Sequence, residues 1–254
     1  MNIKEHVDNF IKRKNHMDNN LLREKANEIG IELSNQQIEQ FNHFYEMMVE
    51  WNKVMNLTGI TEYNEVVEKH FIDSLSIAKV IDMNQVKKVI DVGTGAGFPG
   101  IPLKIAYPHL EVTLLDSLNK RIKFLNAVIE ENELEKISTI HGRAEDYAKQ
   151  DAYREKYDLC VSRAVANLAT LSEYCLPYVS VNGKFISYKS GEIDGEVNES
   201  KKAIQILGGK LAKVEKFQLA GTDIGRSFVI IKKVKPTGKK FPRKAGLPSK
   251  EPLK

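Results

Sequence analysis

Val89-Ile-Asp-Val-Gly-Thr-Gly-Ala-Gly-Phe-Pro-Gly100 runs from an apolar stretch straight into glycines, and one expected strand later the chain reads Leu114-Leu-Asp116-Ser117. Glycines at the carboxyl end of a parallel strand let the backbone approach a ligand, and an acidic residue ending the next strand is placed to receive a ribose. The pairing reads as a nucleotide-cofactor pocket. The rest of the chain has to say which cofactor.

Downstream of the glycines, short apolar strands alternate with helical stretches. Strands are expected over 88–92, 111–116, 137–141, 157–163 and 183–189, and helices from Pro99 and over 120–131, 144–153, 168–179 and 192–207. That is a run of βα units with right-handed crossovers, hence an α/β fold on a mostly parallel sheet. The end differs. Strand patterns over 210–219 and 227–233 are joined by only Ala220-Gly-Thr-Asp-Ile-Gly-Arg226, which permits a hairpin but no helical crossover, so the last pair is antiparallel.

Upstream, from about Asn2 to Met83, the pattern is helical. Ser34 and Gln37 make a capping box, and Ile38, Phe41, Phe44, Tyr45, Met48 and Trp51 follow at three- and four-residue spacing. A second helix over 65–81 supplies Val66, Val67, Phe71, Leu75 and Ile77 as the opposing face. The stripe is read as core. The expected organisation is a helical module over 1–83, a catalytic domain over 84–234 and a tail over 235–254.

Two reading frames compete at the glycines. Gly95-Ala-Gly97-Phe-Pro-Gly100 satisfies the dinucleotide pattern G-x-G-x-x-G, but a lone match is weak. Asp91-Val-Gly93-Thr-Gly95-Ala-Gly97 satisfies the D-x-G-x-G-x-G pattern of S-adenosylmethionine enzymes. Two features favour the second frame. Asp116 is placed for both ribose hydroxyls, and Arg143-Ala144-Glu145 after the third strand offers a backbone N–H and a carboxylate to an adenine edge. A parallel sheet closed by a hairpin is also the layout of the class I S-adenosylmethionine-dependent methyltransferases, with a Rossmann-like sheet. The bland alternatives are that Asp116 caps the helix beginning near Asn119 and that Glu145 is a first-turn acid favoured by a helix dipole.

Composition bounds the setting. No apolar run in the 254 residues approaches a membrane span, the first twenty residues lack the apolar core of a secretory signal, and Cys160 and Cys175 offer neither a disulfide framework nor metal-ligand spacing. A cytoplasmic protein without membrane association is expected, a monomer by default, with no metal; the sequon Asn56-Leu-Thr58 is read as structure. The net charge of +4 is segregated: residues 232–254 carry +8, leaving −4 on the rest. Four of the eight prolines lie there too, so the tail is expected to be extended, either solvated or a polyanion-binding arm that leaves cofactor affinity untouched.

What is methylated is approached through absences. There is no Pro-Cys nucleophile for pyrimidine C5 and no Asn/Asp-Pro-Pro-Tyr loop for exocyclic amines; Ser162-Arg-Ala-Val-Ala166 stands in that place. A guanine N7 carries a free lone pair and needs no base, only alignment, and arginines suit guanine O6 and phosphates. Lys189, ending the fifth strand, faces either a substrate phosphate or solvent.

Trp51-Asn52-x-x-x-Asn56-Leu-Thr58, His70-Phe-Ile-Asp73-Ser74, the glycine stretch, Leu115-Asp-Ser-Leu-Asn-Lys120-Arg121 and Ser162-Arg-Ala164 together resemble the ribosomal RNA small subunit methyltransferase G family, the glucose-inhibited division protein B family. The resemblance covers roughly residues 30–254. It implies N7 methylation of one guanine in the decoding-region loop of 16S ribosomal RNA, on the RNA or the small ribosomal subunit. It implies a cofactor held around Gly93, Phe98, Ala144, Glu145 and Arg163, beside the Gly95, Gly97 and Asp116 already read from the glycine pattern and the strand end, and substrate-positioning roles for Arg143 and Arg226. Two alternatives stay open: a methyltransferase of another RNA position, and a non-catalytic RNA-binding ribosome-assembly factor.

Overall fold

The computed structural model describes residues 19–163 and 165–254. The helical reading of residues 2–18 and the reading of Ala164 lie outside the described residues. The seven strands are β1 Lys88–Val92, β2 Glu111–Asp116, β3 Ile137–His141, β4 Tyr157–Arg163, β5 Val179–Ser190, β6 Gly209–Gln218 and β7 Gly225–Lys233. They form one sheet in the order β3-β2-β1-β4-β5-β7-β6, in which β7 runs antiparallel to both β5 and β6. The expected α/β class and antiparallel end are borne out. The hairpin does not simply extend the edge, because β7 inserts between β5 and β6.

Side chains alternate across the sheet with period two. Val89, Leu114, Leu159, Val161 and Ile186 face one core, while Ile90, Leu115, Cys160, Phe185 and Ile231 face the other. Burial on both faces is why these strands read as unbroken apolar runs. The first core continues into the N-terminal helices Asn19–Glu28 and Asn35–Met55, whose Leu22, Phe41, Phe44 and Met48 are fully buried. Ser34 and Gln37 cap the second of these reciprocally, as expected. The helical segment and the sheet thus share one hydrophobic core.

Three helices depart from their expected spans. The stretch read as one helix over 65–81 is four consecutive pieces: Tyr63–Val66 α-helical, Val67–Ile72 π-helical, Asp73–Leu75 α-helical and Ser76–Lys79 as a 3-10 turn. The helix expected over 168–179 ends at Cys175 because Pro177 has no N–H and its ring crowds the carbonyl four residues back. The helix expected over 144–153 stops at Tyr147, and the turns that follow carry Arg154, whose guanidinium donates to Ala148 O and to tail carbonyls of Thr237 and Phe241.

Those bonds correct the reading of the tail. Residues 234–254 run through turns and bends into the short helix Leu247–Lys250, and they are docked. Lys233 is fully buried, donating to Leu176 O (2.6 Å) and Thr237 Oγ1 (2.7 Å) and pairing with Glu155 at 3.1 Å. Arg243 binds the fully buried Glu173 through its backbone N–H (2.7 Å), Nε and Nη2. Phe241 and Pro248 are buried as well.

Candidate functional site

The strand order reverses between β1 and β4, and in open α/β sheets that crevice beyond the strand ends takes the ligand. β1 ends there in the glycine loop, where Gly93, Gly95 and Gly97 have φ of +74°, +63° and +95°. Side chains strain such backbone. At Gly93 a Cβ would also lie 2.6 Å from Val165 Cγ2, whereas at Gly95 it would meet nothing within 4 Å. The backbone of Gly95 therefore borders an open cradle.

Two carboxylates hold this loop. Asp91 is fully buried; its Oδ2 accepts from Thr94 Oγ1 (2.7 Å) and Gly100 N–H (2.8 Å), while Oδ1 has no hydrogen-bond partner among the described residues. Burial, the largest cause, raises its pKa to about 6 against the bonds from Thr94 and Gly100. Asp116 accepts from Gly95 N–H (3.0 Å), Leu118 N–H (2.9 Å) and Arg121 Nη1 (3.2 Å). A carboxylate has about four acceptor sites, so one is free, and a second opens if the one-third-exposed Arg121 turns away. The capping alternative is half met: Asp116 serves Leu118, the N-cap residue of helix Asn119–Glu131.

The third wall follows β3. Arg143 is the N-cap of the short helix Ala144–Tyr147 and is exposed, Tyr178 Oη–H donates to Ala144 O (2.7 Å), and the buried Glu145 accepts from Gly246 N–H (2.8 Å). An open cradle at Gly95, a spare acceptor on Asp116 and an unpartnered oxygen on Asp91 suit a ligand with an amino-acid end and a ribose. These residues fit S-adenosylmethionine.

On the other side of the switch point lies a cleft of about 510 Å³, lined by His70, Asp73, Arg163, Tyr188, Lys189 and Arg226 among others. Its hub is Asp73. The carboxylate receives Arg163 Nη1 on Oδ2 and Arg226 Nε on Oδ1, both at 2.8 Å, and its side chain is 4% exposed. Arg163 also donates to Lys69 O (3.3 Å), a carbonyl in the π-helical segment, where the altered bonding pattern marks functional positions in many helices. Its guanidinium lies 5.0 Å from the Phe98 ring centroid, and the His70 ring packs on Phe98 at 4.6 Å, tilted by 32°.

His70 is held neutral. Burial, and then the Arg163 charge, lower its pKa to about 4, and its Nε2 bonds Thr58 Oγ1 at 2.8 Å. Thr58 is placed in turn by Asn52, which accepts from its N–H (2.9 Å) and donates to its carbonyl (2.9 Å). The Asn-Leu-Thr triplet is thus structural wiring.

The site residues expected from sequence fall into two groups. Gly93, Gly95, Gly97, Phe98, Asp116, Ala144 and Glu145 surround the switch point, and Arg163 bridges it to the cleft. Arg143 and Arg226 do not meet: they follow β3 and open β7, five strand spacings apart, roughly 24 Å. Lys189 is no solvated strand end: it lines the cleft, is 12% exposed and donates to Ala166 O and Glu196 (both 2.7 Å). Sequence alone offers Asp73, His70 and Thr58 only as letters of the family motifs; the signal that marks them is the density of polar residues in an otherwise apolar helical pattern.

The sheet order, the glycine loop at its switch point and the acids ending β1 and β2 define a class I S-adenosylmethionine-dependent methyltransferase. The model of the rRNA small subunit methyltransferase G family matches residues 37–224, and the chain belongs to that family. It is 52% identical to the ribosomal RNA small subunit methyltransferase G of Lachnoclostridium phytofermentans over 236 residues, covering 93% of this chain and 98% of that one. Identity to the protein of the same name from Brevibacillus brevis is 54% over 224 residues, 88% and 94% of the two chains. Among solved structures, M. jannaschii TYW2 in complex with AdoMet superposes with a TM-score of 0.50 at 14% identity, over 64% of this chain and 75% of that one. That likeness is one of fold. Among the described residues, no helix is long and apolar enough to cross a membrane.

Proposed function

We propose that the protein methylates N7 of a guanine in the decoding-region loop of 16S ribosomal RNA, acting as a cytoplasmic monomer on the RNA or the small subunit. The observation that carries the reading is the arginine pair on Asp73. Bound S-adenosylmethionine supplies an electrophilic methyl group, and N7 needs no base to attack it. The cleft accordingly offers donors in place of a base: His70 is neutral with both ring nitrogens engaged, and Asp73 is committed to two guanidiniums. A purine that takes a methyl at N7 gains positive charge, and Asp73 offsets part of the arginine charge beside it.

The test is transfer of labelled methyl from S-adenosylmethionine to small subunits lacking their native modifications, followed by digestion and nucleoside identification. 7-Methylguanosine is the expected product. Another methylated nucleoside overturns the target atom, and no incorporation despite cofactor binding favours an assembly factor.

In the same reading, the cofactor's cationic end lies by Asp91, which gives binding a pH signature. The folded pKa of about 6 stands above the ordinary value of 3.8, so the group's stabilising contribution is full below about 4 and is lost as pH rises through 6. A bound cation favours the ionised form, so cofactor affinity is expected to fall below pH 6, by up to about tenfold per unit. Calorimetry across pH 5–8 checks this, and Asp91→Asn is expected to flatten the profile.

The docked tail turns Lys235, Lys239, Lys240 and Lys244 outward, where none of them is buried. Changing all four to Ala is expected to weaken RNA binding and reduce the slope of log K against log salt by about 0.7 for each single-strand phosphate that these lysines neutralise. Lys244 lies two residues before Gly246, on the segment that contacts Glu145, so the variant changed only at Lys235, Lys239 and Lys240 is the one that keeps cofactor affinity unchanged; an unchanged slope in the fourfold variant removes the tail from the RNA interface.

A further inference from the structure

We propose that the C-terminal strap, residues 243–250, is a positioning element of the cofactor pocket: through the Gly246 amide it fixes the Glu145 carboxylate at the adenine edge and so sets a preference for a purine bearing a 6-amino group. The inference rests on the reading of Ala144-Glu145 as the adenine edge.

The contact is specific. Gly246 N–H donates to Glu145 Oε1 at 2.8 Å, and Glu145 is 2% exposed, so the carboxylate is held in one place by a residue 101 positions away. Gly246 adopts a φ of +84°, a left-handed turn that suits glycine and opens the short helix Leu247–Lys250. On either side the strap is pinned to helix Leu168–Cys175. Before the turn, Arg243 neutralises the buried Glu173; after it, Thr170 Oγ1 donates to Pro248 O at 3.0 Å. The same element of the fold supports the neighbouring pocket residue, because Tyr178, in the 3-10 turn after that helix, donates to Ala144 O. Ala144 and Glu145 are therefore each held from behind, one by Tyr178 and the other by the strap.

An ionised carboxylate only accepts hydrogen bonds. With Oε1 committed to Gly246, the group can accept from an exocyclic amine and repels a carbonyl oxygen in the same place. Without Gly246 the long Glu145 side chain regains its rotamers and discriminates less. A merely structural strap would weaken both kinds of purine ligand alike, and their ratio separates the two roles.

The test compares S-adenosylhomocysteine with S-inosylhomocysteine, its 6-oxo counterpart, by calorimetry on the full chain, with thermal unfolding recorded alongside. Wild type is expected to prefer the adenine ligand. Deletion of residues 246–254, which leaves Arg243 on Glu173, is expected to lower that preference about tenfold, the scale of one hydrogen bond to a charged group. Gly246→Pro, which lacks the N–H and whose ring cannot adopt a φ of +84°, is expected to release the strap and do the same, whereas Gly246→Ala strains the turn but keeps the donor and the preference. Glu145→Gln is expected to abolish it. If Glu145→Gln removes the preference while the deletion and Gly246→Pro keep it, the strap proposal is overturned and the adenine reading stands. If wild type shows no preference, or Glu145→Gln leaves it intact, the adenine reading fails and takes the strap proposal with it.

Discussion

Replacement of Gly95 by valine is expected to reduce S-adenosylmethionine affinity by at least about 100-fold while the protein still folds, a loss of roughly 2.7 kcal/mol. Two effects combine. At a φ of +63° a β-branched side chain is strained, by about 1–2 kcal/mol. That strain falls on free and bound protein alike, so it lowers the unfolding midpoint by a few degrees without touching affinity. The second effect arises only on binding: a Cβ at Gly95 meets nothing within 4 Å, so the new methyls enter the cradle where the loop backbone faces its ligand. Gly95→Ala separates the two, with similar strain and a smaller intrusion. Calorimetry that finds valine within about threefold of wild type would place the cofactor elsewhere than against this loop.

The sheet was legible because its physics is local. β1 to β4 have the boundaries read from sequence, since strands buried on both faces appear as apolar runs cut off by polar or glycine residues. The glycine loop and Asp116 were legible for a related reason: close backbone approach needs residue types that stand out in an apolar context. The connection between β6 and β7 was too short for a crossover, and that alone required antiparallel pairing, though not the placement of β7 between β5 and β6. Insertion depends on which edge buries Val229 and Ile231, a property of the assembled sheet.

What escaped was created by contacts across long sequence separations. A segment with nine cations and four prolines looks solvated, and nothing near it announces Glu173, 70 residues away, as the partner that folds Arg243 back. Lys189 reads as a strand-end cation, yet Glu196 on the following helix takes its charge. The helix over 65–81 has good periodicity throughout. Where the chain leaves α-helical geometry, Lys69 O meets Arg163, 94 residues on, a contact that no local pattern announces.

Asp73 is the sharpest case, and its replacement carries the second large effect. Asp73→Asn keeps the size and one acceptor oxygen, but it turns an amide NH2 toward one of two guanidiniums that are themselves only 16% and 23% exposed. Breaking a buried pair costs about 3–5 kcal/mol, and the lower end applies because both arginines retain some solvent. The kinetic effect is expected to exceed the structural one. Arg163 reaches from β4 and Arg226 from β7, and Asp73 is the carboxylate that joins them; a displacement of about 1 Å at such a site costs on the order of 100-fold in rate. Turnover at saturating cofactor and RNA is therefore expected to fall at least about 100-fold in a variant that remains folded at the assay temperature, with Asp73→Glu restoring part of it because the charge returns on a longer arm. If Asp73 only stabilised the fold, the unfolding midpoint would drop while turnover below it stayed within about threefold of wild type. That outcome would leave the two arginines to act independently and would detach the cleft from the methyl-transfer reaction.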